Sequence, residues 1–221
     1  MTRWLYLAVL LTLAALAGSF YVYHFRYDDL PAQVPIHWNI QGEADGFVPK
    51  TDVFMTFLLM PAVMAGIVVL TLLLPWLSPR HFEIDTFRST YGYIMAAIVA
   101  LMGYIHGMVL WGSLEPQIPM GRLIVAGISL FFLLVGAALD KVRRNFWMGV
   151  RTPWTLANEE VWDRTHHLAA WSFIMGGVFG VLVALIGLPL YLCFAAIIAA
   201  ALVPVVYSLV LYKQLQRAGR V

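Results

Sequence analysis

The sequence predicts an all-α protein: a polytopic helical membrane protein with six transmembrane helices and both termini cytoplasmic. Hydrophobic residues fill 62% of the 221 positions and charged residues only 12%, well outside the usual mix of a soluble domain. The few charges cluster, leaving several uncharged runs near the ~20 residues a helix needs to cross a hydrocarbon core of about 30 Å. No stretch alternates apolar and polar residues in segments of about ten, as a closed barrel would require. The formal charge of +2 is too small to point to nucleic acid. The lone cysteine, Cys193, sits in an apolar run and has no intrachain disulfide partner.

The first span is expected at about Trp4–His24. Its start resembles a signal peptide, with Arg3 ahead and an Ala15-Leu16-Ala17 triplet. Apolar and aromatic residues continue through Phe20, Val22 and Phe25, which predicts an uncleaved anchor. The second span is expected at about Val53–Leu77 with a kink at Pro61. The third is expected at about Tyr91–Ser113 and the fourth at about Gly121–Leu139. Leu168 to Tyr212 then holds 45 residues without a charge. A straight helix of that length would measure roughly 65 Å, about twice the bilayer core. It must turn back, and Gly187-Leu188-Pro189 is the natural break between spans five and six.

Orientation follows from the basic residues. With the amino terminus inside, the inner segments hold Arg3, Arg80, Arg88, Lys141, Arg143, Arg144, Arg151, Arg164, Lys213, Arg217 and Arg220. Those are eleven of the fourteen Lys and Arg residues, against Arg26, Lys50 and Arg122 outside. This bias places both termini in the cytoplasm and the chain in the cell membrane as a multi-pass protein. Tyr21, Tyr23, Trp76, Tyr91, Trp111, Tyr191 and Tyr212 fall near span ends, where amphipathic rings sit at the lipid interface. The chain reads as a single membrane domain over residues 1–221, with an extracytoplasmic loop at 26–52 and a cytoplasmic loop at 141–166.

The outer loop contains "VPIHWNIQGEADGFVPK". Pro31, Pro35 and Pro49 forbid a continuous helix and push the residues before them toward extended geometry. Asn39-Ile40-Gln41-Gly42 and Ala44-Asp45-Gly46 are expected as turns, with Gly42 and Gly46 able to take positive φ. Val34, Ile36, Trp38 and Phe47 are too apolar for a free linker, so a compact folded loop resting on the helix ends is expected. His37, Glu43, Asp45 and the Asp28-Asp29 pair are suitable metal ligands by type, but their spacing matches no metal motif. Hydrogen bonds that fix the loop, or contact between His37-Trp38 and a ligand, are the other readings.

The inner loop contains "FWMGVRTPWTLANEEVWDRTHH". Gly149 and Thr152-Pro153 end the preceding structure. Either Thr155 or Asn158 can cap a new helix, with Glu159 and Glu160 in its first turn, where negative charge suits the dipole. Trp162, His166 and Phe173 then share a face, and that helix can run into span five. Trp147, Trp154 and Trp162 suit interfacial anchors of a membrane-surface turn; a docking or signalling surface is the alternative. A hydrolase would take His166 as base and Glu159 or Glu160 as acid, yet no Ser or Cys nucleophile lies in a recognisable motif nearby. Within the spans, His106 is the one ionisable residue well inside and is expected to face the bundle. Gly103/Gly107 and Gly176/Gly180 have the four-residue spacing of close helix contacts.

Taken together, the two loops resemble the SdpI family of bacterial membrane proteins. Pro35, His37, Trp38, Asn39, Gly42, Asp45, Gly46 and Lys50 occupy the pattern of that family's DUF1648 segment. Gly149, Arg151, Thr152, Pro153, Trp154, Thr155, Leu156, Asn158, Trp162, Thr165 and His166 match its second signature. The resemblance covers most of the chain in the right order. It implies a six-span protein that protects its cell against a secreted peptide toxin and holds a cytoplasmic repressor at the membrane. The outer residues His37, Trp38, Asn39, Glu43, Asp45 and Lys50 would then contact the ligand. The inner residues Arg151, Thr152, Trp154, Asn158, Glu159, Trp162 and His166 would carry the signal to the partner. No catalytic residue, metal or cofactor is expected, and lipid is the surrounding solvent. The competing classes are a membrane-embedded enzyme or metal-binding protein, and a transporter, which would normally show more buried charge or broken helices in matched halves.

Overall fold

The computed structural model describes residues 2–39, 41–79, 84–115 and 117–221. The order is α1 (Thr2–Phe25), β1 (Gln33–Trp38), β2 (Ala44–Pro49), α2 (Val53–Leu77), α3 (Arg88–Leu114), α4 (Met120–Leu139), α5 (Pro153–Ala157), α6 (Glu159–Ile186) and α7 (Tyr191–Arg217). Among the described residues, six helices are long and apolar enough to cross a membrane, in agreement with the six expected spans. The expected break lies between α6 and α7, where Gly187 closes α6 in the left-handed region at φ 84. Arg80 and Ile40, used above for orientation and for the turn, fall outside the described residues.

Contacts sort the loops between two ends. At one end Trp4 meets Tyr93 edge to face, the Trp147 indole donates to Ser78 Oγ at 2.7 Å, and Arg220 pairs with Glu160 at 2.8 Å. At the other end Gly42 of the hairpin abuts Gly121, and Arg122 donates to the Gly187 carbonyl at 3.1 Å. Both chain ends and the 141–158 segment therefore share one end, which the charge bias assigns to the cytoplasm.

The small sheet adds to the all-α expectation. β1 and β2 form an antiparallel pair, Gln33 facing Pro49 and Trp38 facing Ala44. Two details are corrected. Ala44-Asp45-Gly46 is not a turn but the start of β2, and Gly46 does not take positive φ; Gly42 does, at 85. The physical reason is Asn39, whose side-chain Oδ1 accepts from Gln41 N at 2.9 Å and Glu43 N at 3.0 Å. This Asx turn closes the hairpin before Ala44 is reached. Gly46 is needed for proximity instead, since a Cβ there would lie 2.8 Å from that of His37.

Helices α1–α3 pack together, as do α4, α6 and α7, and the α3–α4 seam joins the two halves. Between α4 and α6 the backbones nearly touch: a Cβ on Gly177 would lie 2.6 Å from Ser129 O and Leu133 N. Gly180 sits between α4 and α7, against Ser129 and Cys193, and Gly176 packs on Ala196 and Ala200 of α7, close helix contacts as their spacing predicts. Gly103 and Gly107 do not behave so. Gly107 has nothing within 4 Å of its Cβ position, and Gly103 meets only the Met64 methyl, because that face of α3 meets side chains rather than a helix backbone.

Prolines inside α2 show how the bundle stays intact in lipid. Pro61 has no amide to give the Phe57 carbonyl, and α2 nevertheless continues through it. The hydroxyl of Ser19 on α1 donates to that carbonyl at 2.8 Å, and Nε2 of His106 on α3 lies 2.9 Å from the Ser19 hydroxyl oxygen. Pro75 likewise frees the Thr71 carbonyl, which accepts from the Tyr91 hydroxyl at 3.0 Å. His106 thus faces the interior, 3% exposed, as part of a buried link among three helices. Ser19→Ala should lower stability by about 1–3 kcal/mol, the cost of an orphaned buried carbonyl. Adding Pro61→Ala, which restores an amide, should recover most of it. Thermal unfolding in detergent reads both; equal midpoints for the single and double variants would contradict this role for Ser19.

Candidate functional site

Two polar assemblies stand at opposite ends. On the hairpin, His37 Nδ1 and Asp45 Oδ1 approach to 2.6 Å across the two strands, and both side chains are exposed. The neighbouring Trp38 turns inward: its ring lies 2.9 Å from where a Cβ on Gly112 of α3 would be. Asn39 is consumed in the turn, and Glu43 Oε2 accepts from Asn39 Nδ2 at 3.4 Å. Lys50 covers the Tyr27 ring at 4.5 Å and donates to the Asp28 carbonyl at 3.4 Å. The structure therefore brings His37, Asp45, Asn39 and Glu43 together at the tip, and sets Lys50 apart at the hairpin base.

The tip spans the two halves of the bundle. Gly42 presses on Gly121 so closely that a Cβ at Gly121 would lie 2.6 Å from Gly42 Cα. A cavity opens on each side of this contact. One, of about 460 Å³, is lined by Gln41, Pro119, Arg122, Pro189 and Tyr191; the other, of about 300 Å³, by His37, Trp38, Asn39, Ile124 and Phe194. Polar groups on the rim and an apolar floor make this a shape that can receive a ligand side chain.

At the other end, residues 142–158 form a knot whose backbone is satisfied by its own side chains. Buried Asn145 accepts from Trp147 N and Met148 N at 2.7 and 2.8 Å, and donates to Arg143 O and Met148 O at 2.8 and 3.1 Å. Thr152 and Thr155 form a reciprocal capping box around α5, with Pro153 at its first position, where no amide is missed. Thr152 Oγ1 also meets Ser208 Oγ of α7 at 3.0 Å. Asn158, rather than Thr155, caps α6, accepting from Val161 N at 3.0 Å.

Trp162 and His166 are the core of the knot. Their rings stack at 4.0 Å, and the Trp162 indole donates to Val142 O at 2.8 Å. His166 Nε2 accepts from Val150 N at 3.0 Å, so that nitrogen bears a lone pair and Nδ1 donates to Trp162 O at 2.9 Å. The imidazole is neutral with both nitrogens engaged, and it offers no free lone pair to act as a general base. Gly149, at φ 105, passes directly over it, and a Cβ there would lie 2.2 Å from Nε2.

Thr152, Trp162 and His166 are thus buried, while Arg151 and Glu159 are exposed and Trp154 and Asn158 half-buried. Arg151 donates to the Phe146 carbonyl, and the neighbouring Glu160 pairs with Arg164 and Arg220. Sequence reasoning missed Asn145, Ser208 and the Gly42–Gly121 contact. A lone asparagine four residues ahead of Gly149, and a serine in an uncharged span, were the available signals. Among the described residues, no three His, Cys, Asp or Glu side chains gather as a metal site.

Comparison with known proteins converges on these two assemblies. The model of the SdpI/YfhL protein family matches residues 141–208, which contain the knot. That of a domain of unknown function, DUF1648, matches residues 9–65, which contain the hairpin. The chain is 25% identical over 162 residues to the immunity protein SdpI of Bacillus subtilis (strain 168), covering 72% of each chain. No solved structure matches.

The knot accounts for the glycine in its motif and makes a prediction. Gly149→Ala combines a strained φ with overlap on His166 and should cost at least about 2 kcal/mol. Gly219→Ala, also at positive φ but with nothing within 4 Å, should cost about 1 kcal/mol. Thermal unfolding compares them. Equal losses would show that backbone conformation alone, and not the imidazole contact, requires the glycine at 149.

Proposed function

We propose that this chain, whose two loop regions match the SdpI/YfhL and DUF1648 family models, is an SdpI-like protein that protects its cell, at the cytoplasmic membrane, against a secreted peptide toxin. The observation that carries the reading is the exposed His37–Asp45 pair, held on the hairpin above two cavities that straddle the halves of the bundle. A secreted peptide would reach this end first. His37, Asn39, Glu43 and Asp45 offer it polar contacts, Trp38 forms part of an apolar floor, and Lys50 supplies a cation at the hairpin base.

Signalling inward follows the same geometry. A ligand that shifts the hairpin tip moves its contact on Gly121, the second residue of α4. Helix α4 leads at its other end into Val142, whose carbonyl holds Trp162 of the knot. The knot offers Arg151, Trp154, Asn158 and Glu159 to a cytoplasmic repressor, while Thr152, Trp162 and His166 hold those residues in position. Such coupling requires two arrangements of the bundle with different ligand affinity.

The test uses sensitive cells expressing wild-type protein, His37→Ala or Asp45→Ala at matched membrane levels, challenged with candidate peptide toxin. The toxin concentration that halves growth should fall about tenfold in the variants, which corresponds to about 1.4 kcal/mol of binding. Protection equal to wild type would remove the hairpin from the recognition site.

A further inference from the structure

Two cavities outside both assemblies lie along the seam between α3 and α4. The first, of about 260 Å³, is at the end the charge bias assigns to the cytoplasm, with Trp4, Ser89, Thr90, Tyr93 and Lys141 in its walls. Its chemistry is one-sided. Neither hydroxyl, of Ser89 or of Thr90, nor the Lys141 ammonium group bonds to any described residue. The Trp4 indole nitrogen is buried without an acceptor among the described residues, and the Arg3 guanidinium lies over that ring at 4.8 Å. Among the described lining residues none is acidic. Ser89 and Lys141 are exposed and Thr90 half-buried; with the buried indole nitrogen they surround the cavity with donors, an arrangement that suits an anion with several acceptor oxygens.

The second cavity, of about 400 Å³, follows the same seam toward the other end and is apolar. Small residues, Ala97 and Ala100 on α3 with Ala126 and Gly127 on α4, open it. The Tyr104 ring closes its far end by lying against Gly127. Tyr93, in the wall of the first cavity, donates to the carbonyl of Leu134, which lines the second, at 3.1 Å. The two spaces are therefore consecutive. From Thr90 to Tyr104 the helix rises about 21 Å, comparable to one bilayer leaflet with its headgroup layer.

We propose that this seam is a binding site for an anionic phospholipid of the inner leaflet, its phosphate held by Lys141, Ser89, Thr90 and Arg3 and one acyl chain laid between Ala100 and Gly127. Basic pockets between helix ends on the cytoplasmic side suit such headgroups. The adjoining apolar channel favours a lipid over free phosphate as the source of the anion. The site is independent of toxin recognition. Because it fills the junction between the two halves, an occupant there also bears on how they move against each other.

Native mass spectrometry of the full chain, extracted from mixed phosphatidylglycerol and phosphatidylcholine bilayers, tests the proposal. Wild type should retain phosphatidylglycerol in preference. Lys141→Gln, or Ser89→Ala with Thr90→Val, should reduce that preference about tenfold, and Ala100→Trp should reduce it by filling the chain groove. Arg217→Gln, an exposed basic residue at the same end, should leave it unchanged. Two routes to the headgroup variant guard against misfolding of one, and circular dichroism checks each. No preference in wild type, or an equal loss in Arg217→Gln, would overturn the site. In phosphatidylcholine nanodiscs, a rise in unfolding temperature with inorganic phosphate that Lys141→Gln abolishes would assign the cavity to free phosphate and overturn the lipid.

Discussion

Lipid offers no hydrogen bond to a peptide group, and an unpaired carbonyl or amide in the hydrocarbon costs several kcal/mol. That constraint shapes this protein from end to end. It confines the spans to helices and requires a substitute wherever a helix is chemically incomplete. The freed carbonyls of Phe57 and Thr71 take hydroxyls from neighbouring helices, so two prolines that would interrupt an isolated helix become points of attachment between helices. The non-helical backbone of 142–152 obeys the same rule at the membrane edge. There Asn145, Thr155 and His166 supply the donors and acceptors that regular structure would have supplied.

Each loop belongs to one half of the bundle and braces the other. The hairpin leaves α1 and returns to α2, yet its tip rests on α4. The knot joins α4 to α6, yet Trp147 reaches Ser78 beyond the end of α2, and Ile84, Phe87 and Tyr91 pack in one core with Trp162. The α3–α4 seam lies between these braces. A change of contact at either end is therefore felt along the same junction, which gives the proposed inward coupling a physical route without any flexible linker.

Much of this was legible in the residues. Hydropathy and charge placement revealed the spans because the requirement they report, removal of apolar surface from water with polar ends left behind, is local to each segment. Gly187-Leu188-Pro189 was legible for the same reason. The sheet was not. Gly42 and Gly46 look alike in sequence, but one supplies positive φ and the other makes room for His37 across the strands, a distinction that only pairing creates. The knot was legible as a motif and opaque as a structure. Nothing in the spacing of Trp162 and His166 reveals that they are fully buried beneath Gly149 and serve the backbone.

The central claim is that six lipid-solvated helices carry the hairpin and the knot to opposite faces of the membrane. Its most direct measurement is the sidedness of single cysteines, introduced as Asp45→Cys and Asn158→Cys in a Cys193→Ser background and treated with an impermeant maleimide. Position 45 should react on intact cells, and position 158 only after the membrane is opened. Reaction of both from the same face would contradict the account.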